Sequence, residues 1–168
     1  MTQTITPHQA ASASEPPAGR IRPTDGLMQC AFEVERVAGG GGPVSAVDAR
    51  RVGHMRTIVA AHLRHVGLHA LIEVAEQIVS ELVTNAIEHA GGAITLSLLV
   101  TRAEARLLVQ DSGSGRPHPR DPGPDAEGGR GLLLVHLLVD ELGGSSGFIP
   151  ETRTAWCSIP HLRSHRLS

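Results

Sequence analysis

The strand-like segments of this sequence come as neighbouring pairs, and this grouping constrains the fold more than any other feature. Residues 93–101 and 105–110 predict two strands joined by a short turn, and residues 147–149 and 152–159 predict a second hairpin. A further strand is predicted at residues 27–37. Three segments carry apolar residues at helical spacing and predict helices: 44–66, 70–90 and 131–142.

The order of these segments favours an α+β fold. Strands in hairpins, with helices free to lie on one face, predict a two-layer sandwich of a mixed, mostly antiparallel sheet covered by helices. A doubly wound fold requires strands and helices in strict alternation, which this chain lacks. We expect one domain at residues 27–160, preceded by a disordered polar tail at 1–26 and followed by a short tail at 161–168.

Composition excludes several function classes. All 15 basic residues are arginines, so chemistry that requires a lysine, such as a Walker A loop, a kinase strand lysine or a pyridoxal Schiff base, is not available in its usual form. A net charge of −2 and 2% aromatic residues argue against direct binding of nucleic acid. No apolar run is long enough for a membrane span and no secretory signal is visible, so we expect a cytoplasmic protein without a membrane partner.

The cysteines and histidines give weak signals. Cys30 and Cys157 fit neither a metal spacing nor a disulfide framework and predict reduced, partly buried thiols. His62, His65 and His69 have helical ligand spacing, but Gly67 is expected to end the helix between them. Ordinary structural roles are therefore expected for these histidines.

The second predicted helix carries a polar pair. Glu81 and Asn85 are four residues apart and lie on one helical face. An Asn carbonyl is a hard oxygen ligand suited to Mg²⁺, and a nearby carboxylate can take a proton from a hydroxyl group. The alternative interpretation is the solvated face of an ordinary amphipathic helix.

Two glycine-containing segments follow. Asp111 directly after a strand could accept a hydrogen bond from the amino group of adenine, while Gly113 and Gly115 allow close backbone approach to a ligand. Residues 128–131 come at the expected start of the third helix, where free N–H groups and Arg130 could bind phosphate. The alternatives are a plain turn for the first segment and a flexible loop for the second.

The three segments together, in this order, resemble the N, G1 and G2 boxes of the GHKL, or Bergerat-fold, ATPases. Within these the chain is most similar to the small anti-sigma-factor serine kinases of the RsbW type. The matching residues are Glu81 and Asn85 (N box), Asp111, Gly113 and Gly115 (G1 box), Gly129 and Gly131 (G2 box), and residues 154–156 in the last strand.

The resemblance implies ATP and Mg²⁺ as cofactors. It implies that Asn85 is the Mg²⁺ ligand, that Glu81 is the general base on a protein serine, and that Asp111 contacts adenine. The glycines of the G2 box, with Arg130 between them, and Thr154 complete the expected nucleotide contacts. Phosphoryl transfer depends mainly on positioning and electrostatics, so this small set is sufficient for catalysis.

The same resemblance implies the partners. They are a sigma factor and an anti-anti-sigma protein of the STAS type, whose serine would be the phosphate acceptor, and a homodimer is possible. A protein that binds nucleotide and partner without transferring phosphate is the alternative. The presence of Glu81 favours the kinase, because binding alone needs no base.

Overall fold

The secondary structure follows the predicted order. The structure is a computed structural model, and it describes residues 26–34, 44–89, 93–112 and 127–161. In chain order its elements are β1 (Gly26–Val34), α1 (Ala46–His65), a single 3₁₀ turn (His69–Leu71), α2 (Ile72–His89), β2 (Ile94–Thr101), β3 (Glu104–Asp111), α3 (Glu127–Glu141), β4 (Ser145–Ile149) and β5 (Thr154–Pro160).

The strands form one five-stranded sheet in the order β1-β2-β3-β5-β4. The last strand of the chain therefore lies between β3 and β4, where Leu107 pairs with Cys157 and Phe148 pairs with Ala155. All four neighbouring pairs in the described part of the chain are antiparallel. The predicted α+β class is confirmed, although the parallel pair that a mixed sheet requires is not seen among these residues.

Helix α1 has clear signals at both ends. The Ser45 hydroxyl accepts a hydrogen bond from the Asp48 backbone N–H at 3.1 Å and donates one to the Asp48 carboxylate at 2.7 Å, which caps the first turn. At the other end, Gly67 has φ +79°, and the Leu68 N–H donates to the Leu63 carbonyl at 2.8 Å. This is the glycine-terminated helix end that the sequence predicts.

The helices cover one face of the sheet. Alternate residues of each strand point to this face, and those of β2 and β3 are almost fully buried against α1 and α2. Phe32 on β1 packs edge-to-face on the ring of His62, with ring centroids 5.6 Å apart. The opposite face carries polar pairs such as Arg106 with Glu104, and the Trp156 indole, for which the absent side chain of Gly147 leaves space.

Several boundaries differ from the sequence-based expectation; α1, α2 and β5, for example, each begin two residues later than predicted. Helix α3 begins at Glu127 rather than at residue 131, β3 extends through Asp111, and β4 begins at Ser145. Glycine is unfavourable inside helices, which is why the pattern placed the start of α3 after residues 128–131. Apart from Gly26 and His161, the predicted tails 1–26 and 161–168 lie outside the described residues, and no described helix has the length and hydropathy to cross a membrane.

Candidate functional site

Helix α2 presents the polar pair beside its apolar stripe. Its buried residues face α1 and the sheet, and they are Ala75, Ile78, Val79, Leu82, Val83 and Ile87. Glu81 and Asn85 lie at the edge of this stripe and are each half-buried. Among the residues that the structure describes, none forms a hydrogen bond or ion pair with the Glu81 carboxylate. The pair is therefore not a fully solvated surface, and it takes part in no salt bridge with the residues that the structure describes.

Helix α3 meets α2 at the same point. A Cβ atom placed on Gly131 would lie 2.8 Å from Oε2 of Glu81, closer than real Cβ contacts allow. Only glycine at this position leaves the carboxylate where it is. The structure thus brings the predicted N-box glutamate and the last glycine of the predicted G2 box into contact, although they are 50 residues apart in the sequence.

Asp111 is the last residue of β3. It has the same strand parity as Leu107 and Val109, so its side chain lies on the face that the helices cover. The residue is 8% exposed. Its carboxylate forms an ion pair with the guanidinium of Arg153, and its backbone N–H donates to the Arg153 carbonyl at 3.3 Å.

Arg153 is a neighbour that sequence reasoning missed. It ends the turn between β4 and β5, where its N–H donates to the Pro150 carbonyl at 3.2 Å. Its φ of +52° makes it the one non-glycine residue with a left-handed backbone in the described part of the chain. The signal in the sequence was a basic residue at the second position of the predicted last strand, 152–159, but nothing local linked that residue to Asp111.

Thr154 is not brought to the Asp111 carboxylate. It has the same parity as Trp156 and Ser158, whose side chains lie on the face of the sheet away from the helices. Its hydroxyl lies 2.9 Å from the hydroxyl of Thr152 and 3.2 Å from the Thr152 carbonyl. A nucleotide contact for Thr154 remains a prediction.

Four further predicted residues have no contacts among those that the structure describes. Gly129 and Arg130 belong to the first turn of α3. Gly113 and Gly115 lie outside the described residues. The phosphate contacts expected from these four residues therefore stay predictions.

A cavity of about 200 Å³ lies between α2, α3 and the β4–β5 hairpin. Leu82 and Leu132, the neighbours of Glu81 and Gly131, are in its wall, but Asp111 and Asn85 are not. His136 forms part of the wall, and its Nδ1 lies 3.3 Å from the Ser146 hydroxyl. This cavity therefore lies next to the predicted site but does not include Asp111, the residue expected to contact adenine.

His62, His65 and His69 do not form a metal site with one another or with other residues in the part of the chain that is described. There, no three histidine, cysteine or carboxylate side chains come together as a metal site would require. His62 instead places its Nδ1 2.8 Å from the Ile58 carbonyl. Its ring thus packs against β1 and bonds to its own helix.

The residues fit ATP and Mg²⁺ by their chemistry. A buried carboxylate suits an exocyclic amino group, the bare Cα of Gly131 leaves room beside the second turn of α3, and an Asn side-chain carbonyl is a ligand that Mg²⁺ accepts. Asp111, the first turns of α3 and Asn85 would hold the base, the phosphates and the metal. Mg²⁺ would neutralise charge on the phosphates when bound.

Comparison with known proteins supports the binding of ATP. No curated protein matches the chain at a significant level. The model of the family described as "histidine kinase-like ATPase domain" matches residues 45–147, which include Glu81, Asn85, Asp111 and Gly131 and end before Arg153. An ATPase domain of this type implies ATP binding and kinase-like or ATPase chemistry. Because this match extends over more than half of the sequence, the chain belongs to the histidine kinase-like ATPase domain family.

Proposed function

We propose that this protein is an ATP-dependent serine/threonine-protein kinase that phosphorylates an anti-anti-sigma protein and, in the other state of the pathway, binds a sigma factor. The observation that carries the catalytic part is the approach of Gly131 to Glu81. It supports a carboxylate beside the second turn of α3, the helix expected to bind phosphate, half-buried and without a protein partner among the described residues.

The proposed reaction uses Glu81 as the general base. Its carboxylate takes the proton of the acceptor serine hydroxyl while the serine oxygen bonds to the γ-phosphorus of ATP. The bond from that phosphorus to the β–γ bridging oxygen breaks, and ADP leaves with the electron pair. Asn85 would hold Mg²⁺, and Asp111 would orient the adenine. No lysine is needed, in agreement with a chain that has none.

The partner assignment rests on the resemblance of the boxes and on the small size of the domain. A protein that binds ATP and a partner but transfers no phosphate is the rival proposal. The two differ in what Glu81 does, because uniform binding of ATP does not require a base. The test therefore compares binding with transfer in variants of this one residue.

The experiment measures label transfer from γ-labelled ATP to an anti-anti-sigma protein that co-purifies with the chain. Glu81→Gln preserves side-chain size, so we expect near-native ATP affinity and transfer reduced by at least about 10²-fold. Glu73→Gln, in the first turn of the same helix and exposed, is the matched control and should transfer normally. Equal transfer by Glu81→Gln and the native chain would contradict the base assignment, and tight ATP binding without any transfer by the native chain would favour the rival.

A further inference from the structure

The ion pair between Asp111 and Arg153 suggests how the site selects its base. We propose that Arg153 is a specificity-determining positioning residue, which fixes the Asp111 carboxylate so that the site accepts adenine and rejects 6-oxopurines such as hypoxanthine and guanine. This inference rests on the proposed role of Asp111 as the adenine contact, and it adds a residue that lies outside the segment matched by the family model.

The turn between β4 and β5 attaches Arg153 to Asp111 at two points. The backbone carbonyl of Arg153 accepts from the Asp111 N–H at 3.3 Å, and its guanidinium pairs with the carboxylate. Both side chains are largely buried, with 19% of the Arg153 side chain and 7% of the Asp111 side chain exposed. The guanidinium is therefore the charge next to the carboxylate in a setting where water screens the pair only weakly.

The backbone of Arg153 indicates that this side chain matters. A φ of +52° suits glycine or asparagine, and an arginine is held there only because its surroundings compensate for the strain. The Gln110 side-chain amide, which donates to the Thr152 carbonyl at 3.3 Å, fixes the same turn from β3. A glycine would satisfy the turn geometry equally well, so the arginine supplies something that the turn itself does not need.

The chemistry connects charge to base selection. An ionised carboxylate only accepts hydrogen bonds, so it complements the 6-amino group of adenine and repels the 6-carbonyl oxygen of hypoxanthine or guanine. A buried carboxylate without a cationic partner is unfavourable, so it turns toward water or takes a water molecule as its partner. A bound water can donate to a carbonyl oxygen. Loss of Arg153 should therefore weaken the discrimination between the two kinds of purine.

The test measures the ratio of the dissociation constants of IDP and ADP by calorimetry in the presence of Mg²⁺. Arg153→Gly keeps the left-handed backbone without strain, and Arg153→Met keeps the length of the side chain without its charge. We expect the ratio to fall by at least about tenfold in both variants and to be largely retained in Arg153→Lys. Arg106→Met removes an arginine of similar burial that forms an ion pair on the opposite face of the sheet, and it should leave the ratio unchanged.

A double-variant cycle separates positioning from a general effect on folding. If Arg153 acts through Asp111, then Arg153→Gly should change the ratio no further in a chain that already carries Asp111→Asn. The inference would be overturned by a native ratio of the IDP and ADP dissociation constants in both Arg153→Gly and Arg153→Met, or by an equal fall of that ratio in Arg106→Met. Neither result would contradict the proposed binding of ATP. Failure of the native chain to bind either nucleotide would instead overturn the proposed function, and this inference with it.

Discussion

Gly131 and Glu81 approach so closely that a Cβ atom added to the glycine would lie only 2.8 Å from the carboxylate oxygen Oε2. The atom that would be displaced is the free end of a flexible side chain, not the backbone. Substitution at Gly131 is therefore a way to move the proposed base without removing it.

We expect Gly131→Ala to fold and to bind ADP with near-native affinity, because the carboxylate can move aside. Phosphate transfer should fall by about 10- to 100-fold, since a displacement of about 1 Å at a reacting group has effects of that size. Label transfer at saturating ATP, compared with ADP affinity from calorimetry, measures the difference.

The control for this variant is Gly53→Ala on α1, where the nearest atom to the new Cβ is the Arg56 guanidinium at 3.8 Å. It should leave transfer unchanged and stabilise the protein by about 1 kcal/mol, because alanine is the better helix former. Native transfer rates in Gly131→Ala would show that the Glu81 carboxylate need not occupy its present position.

The metal assignment leads to a second prediction. Asn85→Ala removes a half-buried amide that makes no side-chain hydrogen bond to any residue the structure describes, so stability should change little. The increase in ADP affinity on addition of Mg²⁺ should disappear, since the proposed oxygen ligand is gone. Gln77→Ala, exposed on the same helix, serves as the comparison, and an unchanged Mg²⁺ effect in Asn85→Ala would return Asn85 to the ordinary polar surface of α2.

Two adjacent glycines after α3 should respond differently to the same change. A Cβ on Gly144 would collide with the Ser158 backbone carbonyl and lie 2.8 Å from Cγ1 of Val139, so Gly144→Ala should destabilise the protein by at least about 2 kcal/mol. Gly143 has φ +71° and open space around it, so Gly143→Ala should cost only about 1 kcal/mol of backbone strain. Urea unfolding gives the loss of unfolding free energy in each variant. A larger loss in Gly143→Ala than in Gly144→Ala would contradict the prediction.

Alkaline pH should destabilise this protein through a cysteine. Burial raises the pKa of the Cys157 thiol from 9.0 to about 12, so between these values the unfolded chain loses a proton that the folded chain retains. The folded state then binds more protons, and the free energy of unfolding falls as pH rises, by about 1.4 kcal/mol per pH unit. Below pH 9.0 the thiol is protonated in both states, so the protein loses no stability through Cys157 there.

This effect can be isolated because the chain contains no lysine and no tyrosine to titrate in the same range. Cys30, half-buried and with its pKa also raised by burial, should add a smaller slope. Urea unfolding between about pH 9 and pH 11 should show the decline in the native chain and a flatter curve in Cys157→Ala. Equal slopes in the two proteins would exclude Cys157 as the cause.

Local patterns predicted most of the fold. The helical period placed α1 and α2 to within a few residues, and Gly67 predicted the end of α1, because these signals depend on neighbours in the sequence. The start of α3 was wrong by four residues because helix propensity penalises glycine, whereas the helix in the structure includes residues 128–131.

The site was less accessible to sequence reasoning. The four-residue spacing of Glu81 and Asn85 is a local fact, but the approach of Gly131 depends on how α3 crosses α2. Arg153 reaches Asp111 only because β5 pairs with β3 across more than 40 residues of chain. The same register places the Thr154 side chain on the face of the sheet opposite to that of Asp111. Neither the Arg153 contact nor the orientation of Thr154 could be predicted from residue types alone.

The position of β5 also has a consequence for biosynthesis. Because β5 follows β4 in the chain but lies between β3 and β4, a nascent polypeptide cannot complete this sheet until residues 154–160 have left the ribosome. Until then one edge of β3 is unpaired, and the Asp111 carboxylate lacks the ion pair that the turn between β4 and β5 provides. If Asp111 contacts adenine as proposed, nucleotide recognition would be acquired only after β5 has paired with β3, and products cut short before residue 153 would lack the Arg153 partner of this carboxylate.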